Sequence, residues 1–324
     1  MPSVAVPQKI QSAEAVTQEI SVLGKWVRVP ALLIDGRAII VRGNQIKTAV
    51  IYNEEWLETE LSDPAKYIRS LKDPGSNRVS ADIFSFAQKL PNSKPRYNYA
   101  MEFESIAAIP SSSFNMWWEG LPQETRKNVR RSQKKGVVVS VKKLDDDLIH
   151  GILNVNNDSP VRQGRPNLHF GKSFEEVKKD QESFPERSDY ICAHVGGELI
   201  GFLKLVYRTD VASVLQLLPK ASQQDKRPAN ALLAKAVELC EAKGMSHLIY
   251  GNFNYGNKRD TPLREFKIRN GFGEMLMPRY YVPLTPWGSL CMKLNIHRGL
   301  LSVLPHTVIR LAVDVRARWY NRKR

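Results

Sequence analysis

Cysteine is scarce and scattered. The three in this 324-residue chain, Cys192, Cys240 and Cys291, stand far apart with no C-x-x-C spacing, which excludes a disulfide framework and offers no zinc-ligand pattern. Cys192 and Cys240 lie in apolar runs and read as small core hydrophobes. No basic stretch followed by an apolar core opens the chain, so no secretory signal is visible. Long hydrophobic runs are also missing. The stretch 300–315 is broken by Pro305, His306 and Arg310 and is too polar to cross a bilayer. A reducing cytoplasm fits this combination best. Acid is short as well: 33 Asp and Glu face 48 Lys and Arg, a net charge of +15. The imbalance gathers at the end, where eight basic residues from Lys293 to Arg324 meet one acid, Asp314. Such a distribution calls for an acidic partner surface: phospholipid, nucleic acid or an anionic donor.

What is present is an ordinary globular composition, 42% hydrophobic and 25% charged, long enough for one large or two medium domains. The chain is organised around residues 188–272. Two apolar runs, 188–195 and 198–207, flank Gly196-Gly197 and predict a β-hairpin, because glycine takes the positive φ of tight turns. A third run, 211–218, ends at Pro219. Pro228 and Gly244 then bracket a helix over 228–243, with proline in its first turn and glycine past its end. A buried strand over 247–250, a short helix ending near Asn270 and the turn Asn270-Gly271-Phe272 follow.

The preceding part predicts mostly strands: 26–34 and 37–41 across Asp35-Gly36, then 47–52, with a short helix from Asp63-Pro64 to Asp73. Residues 1–20 show no period and read as a mobile leader, and 21–112 as a β-rich N-terminal lobe. Helix 121–135 has an acid early and bases late, which suits its dipole. On it, Lys127, Arg130, Arg131 and Lys134 share one side, either a solvated face or a stripe facing phosphate or RNA. Asp145 caps a further helix to about Asn156.

The order hairpin, strand, helix, strand, helix, "NGF", strand resembles the acyl-coenzyme-A N-acyltransferase (GNAT) fold. Trp118 followed by the basic helix 126–136, and Phe266-Lys267 shortly before Gly271-Phe272, are similar to FemAB-type members. The resemblance spans about 110–285. It implies an α/β fold with a mixed, mainly antiparallel sheet flanked by helices, a catalytic domain over 113–285, a smaller N-terminal lobe that is a candidate degenerate copy, and basic amphipathic helices over 286–324. It also implies N-acyl transfer from acetyl-CoA or another acyl-CoA to an amine, such as an amino sugar or lipid-linked glycan precursor, without a metal. Strands 212–218 and 247–251 would part around the donor's carbonyl, with Leu217 and Leu218 beside it.

Two departures qualify this. Where classical members present a glycine loop to the pyrophosphate, this chain has Gln224-Asp225-Lys226-Arg227-Pro228-Ala229. Proline has no N–H and arginine restricts close backbone approach, so Lys226 and Arg227, with Ala229 and Asn230, would supply charge and contacts instead. FemAB-type enzymes resemble this departure and use aminoacyl-tRNA, which makes tRNA the alternative donor. A non-catalytic binder of RNA or another anionic polymer is the remaining reading. The family's leaving-group tyrosine is replaced by Lys267, with Tyr255 as a substitute acid.

The loop 160–172, fixed by two prolines and two glycines, is the expected binding loop. Arg162, Arg165 and Lys172 are candidates to hold an anionic group and His169 to act as base. Asn252, Asn254 and Lys267 are candidate substrate contacts. At the end, Val308, Leu311, Ala312, Val315 and Trp319 form an apolar stripe; it either docks on the domain or lies on an anionic membrane.

Overall fold

The computed structural model describes residues 13–22, 24–73, 79–110, 113–162, 164–254 and 261–298. In chain order the N-terminal part gives β1 (Glu14–Val22), β2 (Lys25–Ile34), β3 (Arg37–Arg42), β4 (Thr48–Ile51), α1 (Pro64–Lys72), β5 (Ile83–Ala87) and β6 (Ala100–Pro110). There follow α2 (Phe114–Gly120), α3 (Gln123–Lys134), β7 (Val138–Lys142), α4 (Asp146–Asn156), the two-residue β8 (Val161–Arg162) and β9 (Arg165–Pro166), and α5 (Phe174–Gln181). The central unit is β10 (Ser188–Val195), β11 (Glu198–Arg208), β12 (Val211–Pro219), α6 (Pro228–Ala242), β13 (His247–Asn252), α7 (Pro262–Arg269) and β14 (Gly273–Pro283), with α8 (Pro286–Lys293) last.

Local chemistry explains the boundaries. Asp35 and Gly36 both take positive φ, 49° and 71°, and Gly196 and Gly197 do the same at 57° and 86°, as two-residue hairpins require. The Asp63 and Asp145 side chains accept the backbone N–H of Lys66 and Leu148 at the starts of α1 and α4, satisfying donors that a helix leaves open. Ser173 and Glu176 close a capping box on α5. The leader expected over 1–20 is a strand from Glu14 onward, paired with β2 through nine positions; backbone pairing there overrides the weak side-chain period.

Among the described residues twelve strands form one sheet, in the order β1-β2-β3-β4-β5-β14-β6-β13-β12-β11-β10-β7. Its two halves mirror each other. From one edge, antiparallel β2, β3 and β4 lead through α1 to β5, which is parallel to β4. From the other, antiparallel β10, β11 and β12 lead through α6 to β13, parallel to β12. At the middle the halves trade strands. β14, which follows the second half in sequence, pairs with β5, and β6, which follows the first, pairs with β13; β6 and β14 are joined antiparallel over nine positions.

The core lies in layers on this sheet. α6 buries Leu232, Leu233, Ala236 and Val237 in one cluster with Ile200, Leu203 and Leu205 of β11 and Val214 of β12. α4 and α5 cover the opposite face through Ile149, Ile152, Val155 and Val177 packed on Tyr190 and Phe202. In the first half, Tyr67, Phe84, Phe86 and Tyr280 stack beside Leu32 and Ile39. No helix among the described residues is long and apolar enough to cross a membrane.

Candidate active site

The parallel pairing of β12 with β13 is short. Val211, Ala212 and Ser213 face His247, Leu248 and Ile249, and beyond that no register is paired. Both strands carry the irregularity that separates them. On β12, Val214 opposes Leu205 and Gln216 opposes Lys204, so Leu215 bulges out of the ladder. On β13, the register to β6 shifts between Ile249 and Asn252, and Gly251 between them has φ +54°. A bulge bends and twists its strand; one on each partner makes them diverge.

The wedge opens into a cavity of about 380 Å³ lined by Leu217, Pro219, Arg227, Ala229, Asn230 and Tyr250, with α3 and α7 adding Thr125, Asn128, Phe266 and Arg269. Asn270, 2% exposed, steadies one wall: its Oδ1 accepts from Asn230 Nδ2 (2.9 Å), its Nδ2 donates to the Phe266 carbonyl (2.7 Å), and its own carbonyl accepts the Trp117 indole N–H (3.1 Å). A second cavity, about 430 Å³, lies where the two halves of the sheet meet. β12 and β13 contribute Ser213, Ile249, Gly251 and Asn252, and the N-terminal half contributes Glu54, Glu55, Lys89 and Glu104. The diverging strands therefore stand between two chambers and supply walls to both.

Lys267 holds the divergence in place. It is fully buried, and its Nζ donates to the carbonyls of Tyr250 and Asn252 (2.5 and 2.7 Å) on either side of Gly251. Burial pushes the pKa of its ammonium down to about 8. In the second chamber Arg279 is clamped by Glu54 (3.1 Å) and Glu104. Burial alone would lower its pKa, but those two carboxylates more than offset this and raise it. Glu54 is pushed up by burial despite that arginine. Glu55 is pushed up by burial too; Trp56, Arg208 and Arg279 oppose this and Glu104 adds to it.

The sequence-predicted residues divide between these places. Leu217, Arg227, Ala229 and Asn230 line the first chamber, and Asn252 the second. Leu218 points the other way, into the cluster of Leu148, Ile152 and Phe174, as strand alternation dictates. Lys226 donates to Gln223. Asn254 bonds Ser105 and Glu274 and accepts from Arg264. Tyr255 and the stripe from Val308 to Trp319 lie outside the described residues. The loop 160–172 is held elsewhere: Lys172 pairs with Asp180, which also accepts the Trp26 indole N–H, and Arg162 reaches the Val155 carbonyl. Arg162, Arg165, His169 and Lys172 line neither chamber. His169 is half-buried, and burial, then Lys172, lower its pKa. Of the basic face of α3, Arg130 stacks over Trp118 at 5.5 Å, and Lys127, Arg131 and Lys134 are turned toward solvent. Sequence reasoning missed the N-terminal contribution, Glu54, Glu55, Lys89 and Glu104, for which the Asn53-Glu54-Glu55-Trp56 cluster was the one available sign.

The start of α6 does not present the row of free amides that a glycine loop would offer. Arg227 takes positive φ (56°) at its N-cap, Pro228 has no N–H, and the amides of Asn230 and Ala231 turn back to the Arg227 carbonyl. Ala229 is left in place of the several amides that a glycine loop presents to phosphate. Among the described residues no three His, Cys, Asp or Glu side chains are grouped so that they could hold a metal ion.

No protein-family model matches the sequence, and no curated protein matches it. Solved structures do. The C-terminal domain of a putative lysylphosphatidylglycerol synthetase from Agrobacterium fabrum matches with a TM-score of 0.52 at 13% identity, over 80% of this chain and 85% of that one. A conserved protein from Bacteroides thetaiotaomicron gives 0.51 at 11% identity over 79% and 86%, and FemX 0.48 at 10% over 82% and 88%. At such identities the likeness is one of fold. The fold is the GNAT-like one expected from the sequence, a mixed, mainly antiparallel sheet flanked by helices.

Proposed function

We propose that the protein transfers an acyl or aminoacyl group to an amine, with the donor in the chamber beside α6 and the acceptor in the chamber between the halves. The observation that carries this reading is the parting of β12 and β13 after Ser213 and Ile249, which leaves a gap between two separate chambers. A carbonyl seated in that gap can be attacked from the far side while unpaired backbone of β12 stabilises the developing oxyanion. Glu55, which lines the acceptor side and stays open to solvent there, is suited to receive the amine proton. Tyr255 follows β13 in sequence and is the proposed acid for the leaving group. The N-terminal half, in this reading, is a degenerate second copy that has become the acceptor's wall.

For the donor, acyl-CoA requires Arg227 and Arg269 to replace the missing amides by charge. The reduced cradle at Arg227-Pro228 favours the second reading, an aminoacyl-tRNA donor. The test is parallel calorimetric titration with acetyl-CoA, long-chain acyl-CoA and charged tRNA, followed by transfer assays on amine acceptors. Leu217→Trp should fill the donor chamber and lower transfer about a hundredfold while the melting temperature stays within a few degrees. Donor binding and turnover unaffected by this change would refute the assignment; salt-dependent polymer binding without any turnover would leave a binding protein.

Peripheral attachment to an anionic membrane belongs to the same reading. Trp287, Leu290 and Leu294 are 47, 46 and 50% exposed along one side of α8 and its C-cap, immediately before the basic end of the chain. Replacing all three by serine should reduce cosedimentation with anionic vesicles severalfold. Equal cosedimentation would remove the membrane from the proposal.

A further inference from the structure

The chamber between the halves contains two cations that folding buries without an ion-pair partner among the described residues. Arg208, the last residue of β11, is 7% exposed, and its Nε has no hydrogen-bond partner among the described residues. No carboxylate of the described residues makes an ion pair with it; Asp210, Glu55 and Glu60 act on it only as nearby charges, opposed by Arg187. Lys89 is 8% exposed, and its Nζ donates to the neutral carbonyl of Leu57 at 2.7 Å. Burial first, and then the charges of Arg208 and Arg37, push the pKa of the Lys89 ammonium down to about 7, against the opposing pull of Glu54 and Glu60. Both residues form the partition between this chamber and a smaller one of about 270 Å³. Arg279 in the same chamber shows the ordinary solution, since two glutamates neutralise it. Burying a charge without a counter-charge is unfavourable, and two adjacent ones repel in addition. A pair kept in this state on the wall of a cavity is organised for an anion that arrives from outside.

We propose that Arg208 and Lys89 form an anion subsite that takes a carboxylate or phosphate carried by the acceptor, so the acceptor is an amine that also bears an acid. This rests on the reading of the chamber as the acceptor's side. Glu55 lines the same chamber within the field of Arg208 but outside ion-pair contact. An acceptor lying across it therefore presents its acid to Arg208 and Lys89 and its ammonium to Glu55. A neutral amino sugar would leave the two cations unmatched.

The test uses the full chain without any donor. Inorganic phosphate and, separately, acetate are titrated calorimetrically at fixed ionic strength in chloride, near pH 8, in buffers of differing ionisation enthalpy. Saturable binding with net proton uptake is expected, because an anion restores the charge of a lysine that sits at about 7 when unliganded. Phosphate binding alone identifies a phosphate ester and acetate binding alone a carboxylate. Arg208→Gln should weaken the binding about tenfold or more, and Lys89→Met should abolish the proton uptake. In anion-free buffer Arg208→Gln should melt no lower than the wild type, since it removes a charge that folding buries unpaired. No saturable binding in the wild type, identical binding in both variants, or a lower melting temperature of Arg208→Gln without anion would each overturn the subsite. Leu217→Trp should retain anion binding even where transfer is lost, so the two readings fail separately.

Discussion

Lys267→Met is expected to lose stability and, on the proposed function, transfer as well. In the wild type one buried ammonium satisfies the carbonyls of Tyr250 and Asn252 at the point where β13 leaves its neighbour. Methionine fills similar volume but donates nothing. Leaving two inward carbonyls without that donor costs about 2–4 kcal/mol, visible as a lower midpoint in denaturant. The backbone around Gly251 is then free to relax toward β12, and displacement of the reacting geometry by about 1 Å lowers transfer about a hundredfold. The pH profile gives an independent check. The ammonium titrates at about 8 in the folded chain, against about 10.4 for an ordinary lysine. Between those values the unfolded chain holds the proton and the folded chain does not, so this residue makes stability rise with pH across that window. The variant should lack that rise. A wild-type midpoint together with an unchanged profile would show that Lys267 does not hold the strand.

Gly271→Ala should be nearly as damaging, through sterics alone. Gly271 has φ +84°, and a Cβ there would stand 2.6 Å from Trp117 Nε1 and 2.9 Å from its Cδ1. Left-handed strain and displacement of the indole together cost about 3 kcal/mol. Because the Trp117 N–H donates to the Asn270 carbonyl and Asn270 braces Asn230, the damage spreads to the chamber beside α6, the proposed donor site. Weakened donor binding in protein that is still folded is the expected signature. A melting temperature within a degree of wild type would show that the indole moves aside freely.

Much of the second half was legible because its signals are local. Gly196-Gly197, Pro228, Gly244 and Asn270-Gly271 each fix one backbone event, and those events in order give the strand-helix-strand unit. The parting of β12 and β13 was inferable only from resemblance, since Leu215 and Gly251 look ordinary in a string of apolar and small residues. The loop 160–172 attracted attention by composition, yet Lys172 is engaged with Asp180, and Arg162 and Asn167 with backbone carbonyls at and just after the end of α4. Lys89 and Arg208 were invisible for the opposite reason. They stand more than a hundred positions apart in the sequence, and nothing local marks a cation that will be buried without a counter-charge. Lys267 was legible as a candidate contact, but its bonds to the backbone of β13 depend on tertiary geometry.

The exchange of β14 and β6 across the middle of the sheet governs how this molecule can be divided. A cut between 110 and 113 would leave the first piece without β14, the strand that covers β5, and oblige the second piece to keep β14 without β6, its neighbour on the other side. Each piece would then expose unpaired strand edges, which favour association with any strand at hand. The two halves are thus linked as clasped hands are, and the wall that carries Glu55 and Lys89 cannot be removed while the flared strands stay intact.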